Sequence, residues 1–586
     1  MSAAPTLASS NTSSPPASAW ANWRNTVLLA LAVAVFRVIY LAWFCPYELV
    51  FDEAQYWDWS RRLDLSYYTK GPGIAWAIAA STRLLGDSEW AVRLPAVIAS
   101  FIGTLAIARL AMVVVQPSLP KPGGAEAVGF FAAVAFMLIP VYQAVGLLMT
   151  IDGPYVTCWI LALWAGWAVI RRLEERRPSS LPAWLALATA LGAGFLFKYT
   201  ILLLIPTFLA YFALRRNSLR WSRPAVLHLL LALVLFVLVI SPVLIWNQQH
   251  GWPTVRHLLG HLDVPGGDVV VTKKPWYGPV IWPLEYLGGQ IGAVGPMVIL
   301  MALMVHQAVA TRWSQGGLWP GRLFMILSAL PILAFYLTVS FINRVQVNWP
   351  IAGYAGLLAL VAQGAVIELP RYANLVRQWK ALPRPRPRRG FLRKRPETPF
   401  QMLWHFAVGF GAVAGIIMLI LMPLARLPVI GAVIPVERLT GWRAYAQLVH
   451  AEAQKVRRDT GQEPWIAADS YGITAALAFY LPVNADRQHQ VVYNAASRVG
   501  RRPNSYDYFA DTDLTDARLH GRPALIVDGA SARWSGAFKF KSIKEVLALR
   551  PVRSLDTNQP KERQVAARVF LATGYQGPRD GQGARP

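Results

Sequence analysis

The sequence predicts a mainly α-helical protein that crosses a membrane many times and carries a small α/β domain near its C-terminus. The first observation is composition: 55% of the 586 residues are hydrophobic and only 15% are charged, against about 25% charge in a typical soluble domain. The second is a series of long apolar runs. The third is a change in character after residue 436, where the apolar runs shorten and charged residues become frequent.

About eleven apolar runs are candidate membrane-spanning helices, since a bilayer core needs about 20 apolar residues per helix. The two runs within 183–214 are the shortest, and they also fit a hairpin of broken helices. The predicted spans are 26–44, 91–115, 127–145, 153–170, 183–198, 200–214, 225–246, 286–310, 322–341, 350–368 and 403–424.

The distribution of charge orients these spans. The net charge is +26, but much of it lies in short loops, which argues for a membrane protein and against a nucleic-acid partner. Basic loops at 171–177, 215–223, 311–322 and 371–395 fall on one side of an eleven-span arrangement, and the last has ten Lys and Arg residues and no acid. Positive loops stay cytoplasmic. The first loop, 45–90, is therefore predicted on the outer face.

The chain divides into a membrane part over 21–425, which includes the first loop, and an α/β domain over 436–575. Residues 1–20, rich in Ala, Ser, Pro and Thr, and residues 576–586 are predicted to be disordered tails. In the C-terminal domain the predicted strands are 463–469, 490–495, 522–529 and 564–575, and the predicted helix is 470–481.

Acids and aromatic rings are concentrated where the first span ends. Asp52 and Glu53 follow that span directly, and Tyr56, Trp57 and Tyr68 surround them in sequence. Aromatic residues gather at membrane interfaces, so an anchoring belt beside a solvated helix end is one interpretation. Rings and acids together favour the other, a binding site for a polar group at the membrane surface.

Four further charged residues stand in apolar or flexible surroundings. Lys70 precedes Gly-Pro-Gly and suits a phosphate as a point charge. Asp152 and Lys198 lie in apolar stretches, where a charge is costly and marks a functional site by default. Arg93 lies at the outer end of the second span. The alternatives are a solvated loop for Lys70, a helix N-terminus for Asp152 and snorkelling for Lys198.

Asn247 and His250 follow another span on the outer side and are candidate sugar or acceptor contacts. His257 and His261 are four residues apart, but a metal would need a third ligand that the sequence does not identify. The prediction is therefore no metal and no cofactor.

The order of the motifs resembles one family. FDEAQYW, YYTKGP, WAVRLPAV, MTIDGPY, FKYT, WNQQHGW and VNWP in the membrane part, with GWRAYAQ and ADSYGITAALAFYLP beyond it, are similar to the membrane glycosyltransferases that use polyprenyl-phosphate sugars. These include bacterial relatives of protein O-mannosyltransferases and the lipid A aminoarabinose transferases. The resemblance implies a GT-C fold in the bacterial inner membrane, with an active site in a cavity at the periplasmic face.

The resemblance also implies roles for individual residues. Asp52 matches the family's catalytic acid, and Lys70 matches the lysine of its phosphate-binding motif. Gly71 stands where that motif usually has a proline. Thr69 stands where the aminoarabinose transferases have a zinc-binding glutamate, which argues against a zinc site here.

The implied chemistry fits these residue types. A carboxylate can take the acceptor's proton or stabilise positive charge on the sugar, and cations can hold the leaving phosphate. Asp52, Glu53 and Asp152 are candidates for the first task, and Lys70, Lys198 and Arg93 for the second. Tyr56, Trp57, Tyr68, Asn247 and His250 are candidates for binding sugar or acceptor.

The predicted function is transfer of a sugar from a polyprenyl-phosphate donor to a lipid or glycan acceptor of the cell envelope, such as lipid A, with inversion. One alternative is a protein O-mannosyltransferase that modifies Ser or Thr. Another is a transporter or flippase of lipid-linked sugars that uses Asp152 and Lys198 as coupling charges. Inverted repeats would favour the transporter, and none is evident. The residues do not identify the sugar or the acceptor.

Overall fold

A computed structural model describes residues 20–115, 124–262, 264–268, 275–311, 319–381, 398–425, 427, 439–484, 486, 488–527, 531–549 and 567–579. Most of each predicted tail lies outside these residues, as do 312–318 and 382–395 of the two basic loops at 311–322 and 371–395.

The membrane part consists of helices. In chain order they are α1 (Trp23–Ile39, continued by a π-helical turn over Tyr40–Phe44), α2 (Phe51–Ser60), α3 (Gly73–Leu85), α4 (Glu89–Val115), α5 (Gly124–Leu138), α6 (Pro140–Val145), α7 (Asp152–Glu174), α8 (Leu181–Phe197), α9 (Leu204–Leu214), α10 (Arg223–Gln249), α11 (Pro253–His261), α12 (Gly278–Val294), α13 (Met297–Thr311), α14 (Pro320–Ser340), α15 (Ala352–Ala381), α16 (Pro399–Leu419) and α17 (Leu421–Leu424).

Within the described ranges, seven helices are long and apolar enough to cross a membrane, namely α1, α4, α7, α10, α14, α15 and α16. The pair α12 and α13 passes the same test together, with a bend of 101°, which gives eight. The predicted polytopic fold class is confirmed. The number of long, unbroken spans is smaller than the eleven predicted, because several of the predicted apolar runs are interrupted.

The interruptions have local causes. The run at 127–145 breaks before Pro140, because the residue before a proline avoids helical backbone and Ile139 is extended. The run at 286–310 bends at Gly295, whose φ of +68° favours glycine, and Pro296 follows it. Lys198 is extended between α8 and a 3-10 turn over Tyr199–Leu203 that leads into α9. The predicted pair at 183–214 is therefore two short helices joined at a lysine.

Burial separates central from peripheral helices. In α7 and in the span that begins at Gly353 within α15, 72% of the most apolar stretch is buried inside the protein. The corresponding value is 22% in α10 and 17% in α16. Apolar residues of α10 such as Leu230 and Leu238 remain exposed, as expected for a helix that faces lipid.

The C-terminal part is an α/β unit. Its five-stranded sheet has the order β2-β1-β3-β5-β4, in which β1 is parallel to β2 and β3, and β5 is antiparallel to β3 and β4. Its elements are α18 (Trp442–Thr460), β1 (Trp465–Ala468), α19 (Tyr471–Tyr480), β2 (Val492–Asn494), β3 (Ala524–Val527), α20 (Ser531–Ala537), β4 (Ser542–Leu549) and β5 (Ala567–Thr573).

All four predicted strands and the predicted helix contain the observed ones, although 528 and 529 of the third strand and 564–566 of the fourth lie outside the described residues. Sequence reasoning missed β4. Its residues, SIKEVLAL, include several good helix formers. Its pairing with β5 over the whole strand overrides that local preference.

The first loop and the C-terminal part share one hydrophobic core. Trp57 and Trp59 of α2 belong to the same buried cluster as Ile473 and Leu477 of α19. This packing positions α2, which carries the candidate catalytic acid, against the C-terminal part.

Candidate active site

Helix α2 presents the two acids of its first turn differently. Glu53 is fully buried, and its carboxylate accepts the Val50 backbone N–H at 3.1 Å, which satisfies one free donor at the start of the helix. Asp52 is accessible to solvent although protein surrounds it, as expected for a residue on the wall of a cavity. Burial raises the pKa of Asp52, and Lys70 opposes that shift.

Glu53 and Arg93 are bound to each other. The Arg93 guanidinium donates to both Glu53 oxygens, at 2.9 and 2.7 Å, and the two side chains are 1% and 0% exposed. Arg93 also donates to the backbone oxygens of Tyr47 and Glu48, and Glu53 accepts the Met149 N–H at 2.8 Å. Neither residue has surface open to a substrate. This buried pair holds α2, α4 and the segment before α7 together, so the site residues predicted at 53 and 93 are better described as structural supports.

Asp152 and Lys198 also form a pair. Lys198 Nζ lies 2.8 Å from Asp152 Oδ1, and Asn348 Nδ2 donates to Asp152 Oδ2 at 2.6 Å. Asp152 is at the N-terminus of α7, where the helix dipole favours an acid. Lys198 is at the break between α8 and α9, which allows its side chain to reach across to α7. The sequence identified both residues but not this bond between them.

Lys70 lies close to Asp52 and Asp152 without binding either carboxylate. Among the described residues no side-chain hydrogen bond or ion pair engages its ammonium group, although Asp52, Asp152 and Lys198 are all close enough to influence it. Burial and, next, the charge of Lys198 lower the pKa of Lys70 to about 8. Lys70 is therefore a partly buried cation close to Asp52.

A tight glycine contact fixes the loop that carries Lys70. A Cβ added to Gly71 would lie 2.3 Å from the carbonyl oxygen of Leu196, at the end of α8. Backbone atoms cannot yield that much space, so this position requires glycine. The contact places Lys70 beside the helix break that holds Lys198.

A second polar network joins the first loop, the region after α11 and the C-terminal part. Arg502 donates to Asp268 at 3.0 and 3.3 Å, and the Tyr68 hydroxyl donates to the same carboxylate. Arg502 Nη2 lies 2.6 Å from Nδ1 of His257. A neutral imidazole can accept this hydrogen bond from the guanidinium. Burial lowers the pKa of His257 to about 4, so the ring is neutral at pH 7.

Sequence reasoning found Tyr68 but missed Asp268, Arg502 and Tyr471. Tyr471, the first residue of α19, donates its hydroxyl hydrogen to Asp52 Oδ1 at 3.3 Å. Nothing in the local sequence around these three residues distinguishes them. Tyr471 lies in ADSYGITAALAFYLP, a motif that carries the family resemblance, but the resemblance implies no role for this tyrosine.

Of the remaining predicted residues, some lie in the site and others make structural contacts away from it. Tyr56 is buried near Asp52 and Asp152. Burial is the main cause that raises the pKa of its hydroxyl, and the charges of the two acids raise it further. Trp57 points away: its Nε1 donates to Asp87 at 2.7 Å and its ring packs on Phe479.

Asn247 is a structural residue. Its amide oxygen accepts the Thr254 N–H at the start of α11, and its amide nitrogen donates to the Val243 carbonyl. His250 stacks on Trp246 with ring centres 4.3 Å apart. The site thus brings together Asp52, Tyr56, Lys70, Asp152 and Lys198, and it does not include Trp57 or Asn247.

No group of three or more His, Cys, Asp and Glu side chains that could hold a metal ion occurs in the described part of the chain. Thr69, next to Lys70, offers no carboxylate.

Some of the described charged residues around the site are paired and two are not. Asp152 is paired with Lys198, and Asp268 is paired with Arg502. Asp52 and Lys70 remain without a direct ion partner among the described residues, and they are close enough to influence each other's charge. A group with both negative and developing positive charge would complement this pair.

Comparison with known proteins bears on the class of the protein. Residues 69–246 match the family described as dolichyl-phosphate-mannose-protein mannosyltransferase. Over 343 residues the chain is 26% identical to the lipid A galacturonosyltransferase RgtD of Rhizobium johnstonii, a match that covers 58% of this chain and 65% of that protein. The chain therefore matches just under two thirds of this relative's length.

Two solved structures share the fold. ArnT from Cupriavidus metallidurans bound to undecaprenyl phosphate superposes with a TM-score of 0.52 at 17% identity, covering 96% of this chain and 99% of that one. The apo form gives a TM-score of 0.51 at 16% identity, with coverages of 93% and 97%. At this level of identity the likeness concerns the fold.

The fold and the site define a multi-span membrane protein of the GT-C type. The matched segment and the relative agree with the resemblance of the sequence motifs to the superfamily of polyprenyl-phosphate-sugar-dependent membrane glycosyltransferases. The resemblance recognised in the sequence motifs is thereby confirmed.

Proposed function

We propose that the protein transfers a sugar from a polyprenyl-phosphate donor to a lipid A-type acceptor. The observation that carries the proposal is that Asp52 and Lys70 lie near each other without a direct ion partner among the described residues, whereas Asp152 is paired with Lys198. The name of the relative, a lipid A galacturonosyltransferase, supports the acceptor, and the description of the matched family, a dolichyl-phosphate-mannose-protein mannosyltransferase, supports the donor class.

In this proposal Lys70 holds the donor phosphate. Its ammonium offers three hydrogen-bond donors that no described side chain occupies, and its partial burial reduces screening by water. The phosphate is already a good leaving group, so the site needs a cation for its negative charge rather than a strong general acid. Lys198 adds positive potential while it remains bound to Asp152.

Asp52 is the catalytic carboxylate. It accepts the proton of the attacking hydroxyl, while the bond between the anomeric carbon and the phosphate oxygen breaks and the electron pair leaves with the phosphate. One displacement of this kind inverts the anomeric centre. The elevated pKa of Asp52, caused chiefly by burial, makes it a better base than a solvated aspartate.

The proposed location is the bacterial inner membrane with the site facing the periplasm. Helix α7 has Asp152 at one end and Arg171 and Arg172 at the other. Its 23 residues span about 34 Å at 1.5 Å per residue, enough to cross the hydrocarbon core. Positive residues favour the cytoplasmic side of a membrane, and this supports a site on the opposite side.

The test is transfer by the purified protein in liposomes. The donors are undecaprenyl-phosphate-linked galacturonic acid, aminoarabinose and mannose, and the acceptors are lipid A and a Ser- and Thr-rich peptide. Mass spectrometry of lipid A should show addition of one sugar, with galacturonic acid the first candidate because of the relative's name. The Asp52→Asn protein is the inactive control.

Two results would contradict the proposal. Modification of the peptide and not of lipid A would indicate a protein glycosyltransferase. Movement of the intact donor across the bilayer, with its sugar-phosphate bond unbroken, would indicate a flippase.

A further inference from the structure

We propose that Tyr471 is a positioning residue for Asp52, and that the C-terminal α/β part thereby completes the catalytic site. The inference rests on the proposed function, because it takes Asp52 as the catalytic carboxylate. It assigns a role to a residue 419 positions away in the sequence from the acid that it contacts.

The contact lies where two helices begin side by side. Phe51 and Asp52 open α2, and Tyr471 and Gly472 open α19. The Tyr471 hydroxyl donates to one oxygen of Asp52, Oδ1, at 3.3 Å. The second oxygen is thus left to accept a proton from a substrate. A hydrogen bond to one carboxylate oxygen also fixes the rotation of the group.

The junction between the helices is tightly packed. A Cβ added to Gly472 would lie 2.3 Å from Cγ of Phe51, so the two helices approach as closely as glycine allows. The Phe51 ring also packs on Trp442 of α18, with ring centres 4.7 Å apart. Aromatic packing on both sides leaves α2 little freedom to move relative to α19.

The segment leading into α2 is bonded to the same part of the protein. The Glu48 carboxylate accepts the backbone N–H of Trp442, at 2.5 Å, and of Arg443, at the start of α18. The Tyr480 hydroxyl, at the end of α19, accepts the Leu49 N–H at 2.8 Å. The backbone that carries Asp52 is therefore held by the C-terminal part from both ends of α19.

The electrostatic surroundings of Asp52 give this contact a measurable consequence. The charged or titratable groups that face Asp52 are Lys70 before α3, Asp152 on α7, Glu53 and Tyr56 on α2, and Tyr471 on α19. Of these, Lys70 and Tyr471 favour the ionised carboxylate, Lys70 by its charge and Tyr471 by its hydrogen bond. Loss of the tyrosine hydroxyl should therefore raise the pKa of Asp52 further.

The experiment compares Tyr471→Phe with wild type in the liposome assay across a range of pH. We expect kcat to fall roughly three- to tenfold, as for loss of a long hydrogen bond to a charged group. The acid limb of the kcat/KM profile should move upward by about half a pH unit. Tyr493→Phe is the matched control, because Tyr493 lies on β2 and packs on Trp465, away from Asp52.

Two outcomes would overturn the inference. One is a Tyr471→Phe protein with the kcat and acid limb of wild type. The other is a lower kcat with an unmoved acid limb, which is what a purely structural tyrosine would give.

A second variant tests the junction without altering any polar group. Gly472→Ala should separate α19 from α2 and produce the same shift of the acid limb, and Phe51→Ala in the same chain should reverse it. An unshifted limb in Gly472→Ala would contradict the role of the junction.

Infrared titration separates this inference from the proposed function. The Asp52 carboxyl band, identified by its loss in Asp52→Asn, should titrate at higher pH in Tyr471→Phe than in wild type, whether or not transfer is detected. Failure of wild-type transfer with a shifted band would contradict only the proposed function. An unshifted band would contradict the positioning role.

Discussion

Asp152 and Lys198 form a salt bridge of 2.8 Å that joins the N-terminus of α7 to the break between α8 and α9. The two side chains are 2% and 11% exposed, so removal of one partner leaves a buried charge uncompensated. Asp152→Asn or Lys198→Met should destabilise the protein by about 3–5 kcal/mol, and the double variant by much less than the sum.

Thermal unfolding in detergent would measure this coupling. Lys455→Met is the control, because Lys455 is 59% exposed and its ion pair with Glu452 is long, at 3.9 Å. Additive effects of Asp152→Asn and Lys198→Met would mean that the pair does not act as a unit.

Asp52→Asn should preserve the fold and lose transfer activity. Asparagine has nearly the shape of aspartate but is a poor proton acceptor, so the rate should fall by about 10²–10⁴. The measurement is transfer by purified protein whose unfolding temperature matches wild type. Asp516→Asn, at an exposed ion pair with Arg518 of the C-terminal part, should leave the rate unchanged. Near-normal transfer by Asp52→Asn would remove this residue from the mechanism.

Glu53→Gln should act on stability rather than on chemistry. It leaves the buried Arg93 guanidinium without its counter-ion, at a cost of about 3–5 kcal/mol, and it loosens the segment before α7 that Glu53 also binds. We expect a lower unfolding temperature and a reduced yield, with more residual activity per folded molecule than in Asp52→Asn. Glu545→Gln, at an exposed pair with Arg568, is the control. A stable, inactive Glu53→Gln protein would instead indicate a direct catalytic role.

Donor binding should weaken at alkaline pH, because it depends on the charge of Lys70. Its pKa is lowered to about 8, so the ammonium is present below that pH and is lost as pH rises through it. Affinity for undecaprenyl phosphate should therefore fall above about pH 8, or somewhat higher once the bound phosphate stabilises the charge. Lys70→Ala should weaken binding about 10- to 100-fold.

Lys70→Arg distinguishes charge from other effects. Arginine stays protonated throughout this range, so the alkaline loss of binding should disappear even if the affinity is lower overall. An alkaline loss of affinity that persists in Lys70→Arg would show that a different group titrates.

Membrane topology is the last prediction. A reporter fused after Arg389 should be cytoplasmic, and one fused after Gly441 should be periplasmic. The reason is the positive charge of the loop at 371–395. Activity of a periplasm-specific reporter at each position is the measurement. Both reporters on one side of the membrane would contradict the periplasmic placement of Asp52.

The sequence by itself determined the class of the protein and most of its elements. Long apolar runs encode spans because hydrocarbon excludes unpaired backbone groups. The alternation of short apolar strands with a helix encoded the α/β part, apart from β4 and the helices α18 and α20. Asp52, Lys70, Asp152 and Lys198 could be identified because charges beside apolar runs are costly and therefore conspicuous.

Tertiary structure alone decided which of these charges are available. Glu53 and Arg93 are 40 positions apart in sequence, and Asp268 and Arg502 are 234 apart. No local pattern predicts such pairs, because their partners are chosen by helix packing rather than by spacing along one helix or strand. Packing neutralises Arg93 and Glu53 and leaves Lys70 free among the described groups. It also brings Tyr471 to Asp52, a contact that depends on α19 lying against α2 across Gly472.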